Sequence, residues 1–234
     1  MNITEYLEKI NKESQVIFSE TIKDAESFGK AHNLSSCIYE FSEFLFDKHE
    51  REMLNVVSAQ LEAACLNLAL GLYRQAFSSL RLAFEMGLGV AYFSIYKMEH
   101  YEWIEGKMDI KWAKIMDDEN GVISKRFANA FFSELESEID SYSEKAKNLY
   151  RSLSEFVHGN NETWSKSGIQ IKLNPVLIKQ FFSQFNEVGE IVLFVLCCRY
   201  LKSISAENIE TMEFVQTELN HISSIRILFG GPKE

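Results

Sequence analysis

The chain has 234 residues, enough for one large domain or a core domain with a helical extension. A net charge of −10 argues against broad, non-specific binding to nucleic acid or membrane, which needs a basic footprint. It leaves room only for a small basic cleft on an acidic surface. The two prolines are Pro175 and Pro232, so almost the whole chain is free of the residue that most reliably breaks helices, and an all-α fold is expected.

The first eleven residues alternate in charge and lack an apolar h-region, so no secretory signal is expected. The longest apolar run, 191–198, is far shorter than the ~20 residues of a membrane helix. The expected location is therefore cytoplasmic, with no membrane contact. Cys37, Cys65, Cys197 and Cys198 show no CxxC or Cys/His spacing and are read as buried small hydrophobes rather than redox or metal groups.

In chain order, Ile3, Tyr6, Leu7, Ile10, Val16, Ile17, Phe18 and Ile22 predict an amphipathic helix over 3–31, with a break near 12–14. Asn33 is the predicted N-cap of a second helix through Leu34, Ile38, Phe41, Leu45 and Phe46. Residues 1–48 form an N-terminal helical extension on this reading, and 49–228 a helical core with an insertion around 98–142. Helices over 50–70 and 74–96, joined at Gly71, make a long antiparallel hairpin. Ala83, Gly87 and Ala91 recur every four residues, a spacing that lets another helix approach closely. Gly87-Leu88-Gly89 lacks the third glycine and the preceding strand of a dinucleotide loop.

The 98–121 stretch is irregular and ends in an acidic turn, 117–121, without the alternating oxygen ligands of a calcium loop. Helices are expected over 124–132 and 143–158. The alternation of 168–173 suggests at most a short strand or hairpin, and Pro175 fits the first turn of a long apolar helix to about 203. A final helix over 206–228 precedes a loose tail, 229–234.

The segment that carries chemistry is 143–160, SEKAKNLYRSLSEFVHGN. At 100° per residue, Leu149, Leu153, Phe156 and Val157 share an inward face, while Glu144, Lys147, Arg151, Glu155 and His158 form a stripe on the other side. Arg151 and His158 are almost aligned and about 10 Å apart along the axis. Histidine suits acid/base work near neutrality, and arginine grips phosphate through a planar fork. The same residues also admit a structural reading. Arg151 and Glu155 form an i,i+4 pair, and His158 before Gly159 suits a helix C-terminus.

An Arg followed by His near the end of a helix, here Arg151 and His158 at the long end of the usual spacing, resembles the signature of the HEPN superfamily. Tyr150 to Gly159 (YRSLSEFVHG) is similar to motifs of bacterial HEPN-like proteins, and the hairpin from Tyr73-Arg74-Gln75-Ala76-Phe77 to Leu80-Arg81-Leu82-Ala83-Phe84-Glu85 is similar to that fold's two long helices. The resemblance spans roughly 50–203. It implies a helical bundle of HEPN type and a homodimer whose Arg and His residues meet across a cleft. It also implies a metal-independent endoribonuclease without cofactor, of the toxin or phage-defence kind, with a neutralising or effector protein as a further partner. Arg151 and His158 would be catalytic, with Lys147, Ser152, Glu155 and Asn160 binding substrate or supporting them, and with no metal ligand. Active members often have Asn, Asp or His directly after the Arg, where this chain has Ser152.

The alternative is a non-catalytic HEPN-like interaction module that uses the same surface. A third reading is a small-molecule pocket under Trp103 and Trp112, although no phosphate-binding loop accompanies it. Arg81 and Glu85, also i,i+4, are expected to form a half-buried structural pair or to support the Arg151 stripe.

Overall fold

Side-chain caps set half of the twelve helix starts among the described residues. In the computed structural model, which describes residues 2–158 and 171–233, the order is α1 (Ile3–Thr21), α2 (Ala25–Ser42), α3 (Lys48–Ala69), α4 (Tyr73–Ile95), α5 (Lys97–Ile104), α6 (Trp112–Ile115), α7 (Lys125–Phe131) and α8 (Ile139–His158). Then follow α9 (Pro175–Tyr200), α10 (Ala206–Thr211), α11 (Glu213–Leu219) and α12 (Ser223–Leu228). Asn2 and Glu5 make a capping box on α1, and Asp24, Asp47, Ser124, Asn174 and Ser205 each accept a backbone N–H at the start of the next helix. The fold is all-α, and no strand occurs among the described residues.

Gly71, at φ +75°, turns α3 back into α4, a conformation that favours glycine, so the expected antiparallel hairpin is present. The apolar α9 packs against α4, with Phe181, Phe185, Val188, Val192, Phe194 and Val195 fully buried. The small residues of α4 allow this approach. A Cβ on Gly87 would lie 2.7 and 2.9 Å from the two methyls of Val192. By length and composition, Pro175–Ser203 could cross a membrane, but its most apolar stretch is 72% buried inside the protein, as befits a core helix.

Several boundaries differ from expectation. α1 is continuous through 12–14, where Ser14 Oγ donates to the Leu70 carbonyl at 2.8 Å and tethers α1 to the end of α3. The break falls at 22–24, where the Asp24 carboxylate caps α2, so Asn33 lies inside that helix and is not its cap. Within residues 1–48, α2 places Ala31, Ile38 and Phe41 completely buried in the same core as α3 and α9. α8 begins one turn earlier than expected, directly after a 3-10 turn over Ser133–Glu138.

Residues 171–173 carry no strand, and 168–170 lie outside the described residues. The single helix expected over 206–228 is three short ones. Its buried residues, Ile209, Met212, Val215, Leu219, Ile222 and Ile225, recur faster than an α-helix turns. A continuous helix would put the first and last roughly 160° apart, and the breaks near 212 and 220 return both to the core. The tail is clasped, because Arg226 donates to the carbonyls of Pro232 and Lys233.

Candidate functional site at the end of the eighth helix

α4 and α8 lie antiparallel, pinned along one line of contacts. The Phe77 and Phe156 rings stack at 3.8 Å, 10° from parallel. Arg74 donates from Nε to the Phe156 carbonyl (3.0 Å) and from Nη2 to that of Val157 (2.9 Å). These are carbonyls that a helix end leaves without an intrahelical partner, and a cation there also suits the helix dipole. The end of α8, and with it the backbone of His158, is thereby fixed by α4.

Two turns further along α4, Arg81 reaches the same face of α8. Its Nη2 donates to the Glu85 carboxylate (2.9 Å) and to the Tyr150 hydroxyl (2.6 Å), and its Nη1 lies 3.4 Å from His158 Nε2. The guanidinium carbon is 4.7 Å from the centre of the Tyr150 ring, which in turn stacks on Trp112 at 3.7 Å. Trp112 rests against Phe84. The Arg81 side chain is 14% exposed and its Nε–H has no acceptor among the described residues. Burial, with the Glu85 carboxylate alongside, pushes the Tyr150 phenol up despite Arg81, so it remains protonated.

The predicted stripe is exposed at Glu144, Lys147, Arg151, Glu155 and His158, opposite buried Leu149, Leu153 and Phe156. Its internal pairing differs from expectation. No Arg151–Glu155 ion pair forms, and Arg151 makes no hydrogen bond or ion pair among the described residues. Lys147 reaches instead to Asp118 at 2.8 Å, outside the stripe. Ser152, expected to bind substrate or support the site, has an intramolecular partner in the free chain. It is half-buried, and its hydroxyl accepts from Gln184 Nε2 of α9 at 2.7 Å, so it braces helix packing. Asn160 lies outside the described residues, with Gly159 and Asn161.

The residues that sequence reasoning undervalued are Arg74 and Arg81. Their signal was a seven-residue spacing that aligns them on one face of α4, the same spacing that aligns Arg151 with His158 on α8. Around the end of α8 the three arginines 74, 81 and 151 stand against Glu85 and Glu155, a local excess of positive charge on an acidic protein.

Two surface hollows of about 500 and 450 Å³ lie elsewhere, one beside Lys125 and Asp140 and the other between α1, α2 and the start of α9. Neither is lined by Arg151, His158, Trp103 or Trp112, and both Trp112 and Trp103 are packed against aromatic neighbours. Among the described residues no three His, Cys, Asp or Glu side chains are grouped to hold a metal ion. No protein-family model, curated protein or solved structure matches the chain.

Proposed function

We propose that this protein is an endoribonuclease of the HEPN type, with His158 as its acid/base group and Arg151 as a phosphate contact, completed by pairing of two copies. The observation that carries the reading is the exposed Arg151–His158 stripe on α8 together with the arginine held at His158. Cleavage of RNA by internal transfer forms a bond from the 2′-oxygen to phosphorus and breaks the bond from phosphorus to the 5′-oxygen. A base takes the 2′-hydroxyl proton, and an acid supplies one to the departing oxygen. The face is the outside of a helix, so a cleft requires a second surface, and a second α8 would bring a second His158 to serve as the acid. Because side chains alone do this work, cleavage proceeds in the presence of a chelator.

The test is to incubate the purified chain with a mixed RNA pool, with and without chelator. His158→Ala abolishes cleavage to 2′,3′-cyclic phosphate and 5′-hydroxyl ends while helicity and assembly are retained. Unchanged cleavage by the variant sinks the assignment.

A second reading, a non-catalytic module that holds a protein partner on the same face, is favoured by one observation. Ser152, the residue next to Arg151, is half-buried and its hydroxyl is taken by Gln184 of α9. A wild-type chain that cleaves no RNA and loses its partner on Arg151→Glu would support that reading.

A further inference from the structure

We propose that Arg81 is the principal phosphate-gripping cation of the α8 site, parked on His158 in the free chain and handed to a phosphodiester oxygen when the strand binds. The inference rests on the ribonuclease reading for the identity of its ligand, the RNA backbone.

The argument begins with how the guanidinium is held. Glu85 and Tyr150 both take Nη2, and Trp112 stacked on Tyr150 keeps that ring from swinging away. Nη1 is left facing His158. A cation anchored in this way loses little further side-chain freedom on binding an anion. Arg151 is exposed and has no such anchor among the described residues, so it must be ordered when the strand arrives.

The contact with His158 is the weak link of the cluster. At 3.4 Å it is long for a hydrogen bond. A guanidinium can only donate, so the imidazole must accept with the lone pair of Nε2. While the contact lasts, that lone pair is not available to take a proton from a 2′-hydroxyl. A phosphate oxygen carries charge and is a stronger acceptor than a neutral ring nitrogen, since charge-assisted hydrogen bonds are roughly twice as strong as neutral ones. A backbone phosphate therefore replaces the imidazole at Nη1. That single exchange does two things: it fixes the phosphate next to His158 and frees Nε2 where the phosphate lies. The resting arrangement is also one bond short, because the Nε–H has no acceptor among the described residues, which lowers the cost of a small shift outward.

The probe is a mixed-sequence 2′-O-methyl oligonucleotide, which keeps the phosphates but has no hydroxyl to attack. Its affinity is measured by fluorescence anisotropy for the wild type, Arg81→Lys and Arg151→Lys. Arg81→Lys keeps the charge and removes the fork, and it weakens binding by about tenfold or more, whereas Arg151→Lys changes it by less. Equal affinity of wild type and Arg81→Lys overturns the proposal, as does a larger loss from Arg151→Lys.

A measurement that needs no variant at Arg81 guards against misfolding. In the wild type, inorganic phosphate shifts the His158 Nε2 resonance in imidazole nitrogen spectra, assigned with His158→Gln. An unmoved resonance at phosphate concentrations that bind overturns the exchange. The two readings fail separately. RNA cleavage with binding indifferent to Arg81→Lys removes this inference and leaves the ribonuclease. Phosphate binding through Arg81 without cleavage of any RNA keeps the subsite and removes the ribonuclease.

Discussion

Arg74 on α4 and Val157 near the end of α8 are joined by a hydrogen bond of 2.9 Å from Nη2 to the carbonyl, and the same guanidinium holds the neighbouring Phe156 carbonyl at 3.0 Å. The position of His158 thus depends on a residue on another helix. Arg74→Met keeps much of the apolar stem and removes both donors, leaving half-buried carbonyls at the helix end. Each charge-assisted bond of this kind contributes about 2 kcal/mol, so losing the pair should lower the melting temperature by at least about 4–8 °C. Amide exchange over the last turn of α8 should accelerate more than that of α9. An unchanged melting temperature would show that water satisfies these carbonyls equally well.

Gly87 decides how closely α4 and α9 approach. An added methyl would stand 2.7 Å from a methyl of Val192, which is fully buried and, being β-branched, has few rotamers into which it can retreat. Gly87→Ala gains helix propensity but overpacks the contact, and the packing loss dominates. The expected outcome is a net destabilisation of about 1–3 kcal/mol in urea unfolding. A stabilised variant would mean that the two helices can separate at little cost.

Much of this was legible in the sequence, for reasons that can be named. The α3–α4 hairpin follows from uninterrupted helical periodicity with a glycine at the turn, and the close approach at Gly87 from the spacing of its small neighbours. The exposed stripe on α8 follows from angular arithmetic alone. Long-range choices were not legible. Arg151 has Glu155 one turn away and ignores it, and Lys147 crosses to Asp118, because solvent-exposed pairs differ by too little to be decided locally. Ser152 turns inward because Gln184, thirty-two residues away, offers its amide there. Arg81 meets Tyr150 and His158 only once α4 and α8 are packed.

The cysteines give a check on the core that does not depend on function. Cys37, Cys65, Cys197 and Cys198 are all buried. Burial pushes the thiols of Cys37, Cys65 and Cys198 up to about 12, and raises that of Cys197 as well. At pH ~8 the thiolate fraction of such a group is on the order of one in ten thousand. The folded chain should leave a disulfide reagent essentially unreacted over the time in which the guanidinium-unfolded chain titrates four thiols. Rapid reaction of one native thiol would reveal local opening, and Cys65, the most exposed of them, is the place to look first.

His100 predicts a pH dependence of definite sign. Its ring is 2% exposed, stacked on Phe93 at 4.9 Å and edge-on to His49, and its Nε2 has no acceptor or donor among the described residues. Burial, followed by the Lys97 charge, lowers its pKa below 6.5, against the opposing pull of Asp47 and Glu50. The unfolded chain therefore takes up this proton at a higher pH than the folded one. Stability from this site is complete above the unfolded value and is lost as pH falls from about 6.5 toward the depressed folded value. His100→Phe keeps the stacked ring and removes the titration. Urea unfolding of both proteins between pH ~7.5 and ~5 should give a wild-type curve that falls relative to the variant below pH ~6.5 and runs parallel to it above. Parallel curves throughout would mean that His100 is protonated equally in both states, with a proton-accepting partner formed on ring movement, and the closed aromatic packing around it argues against that.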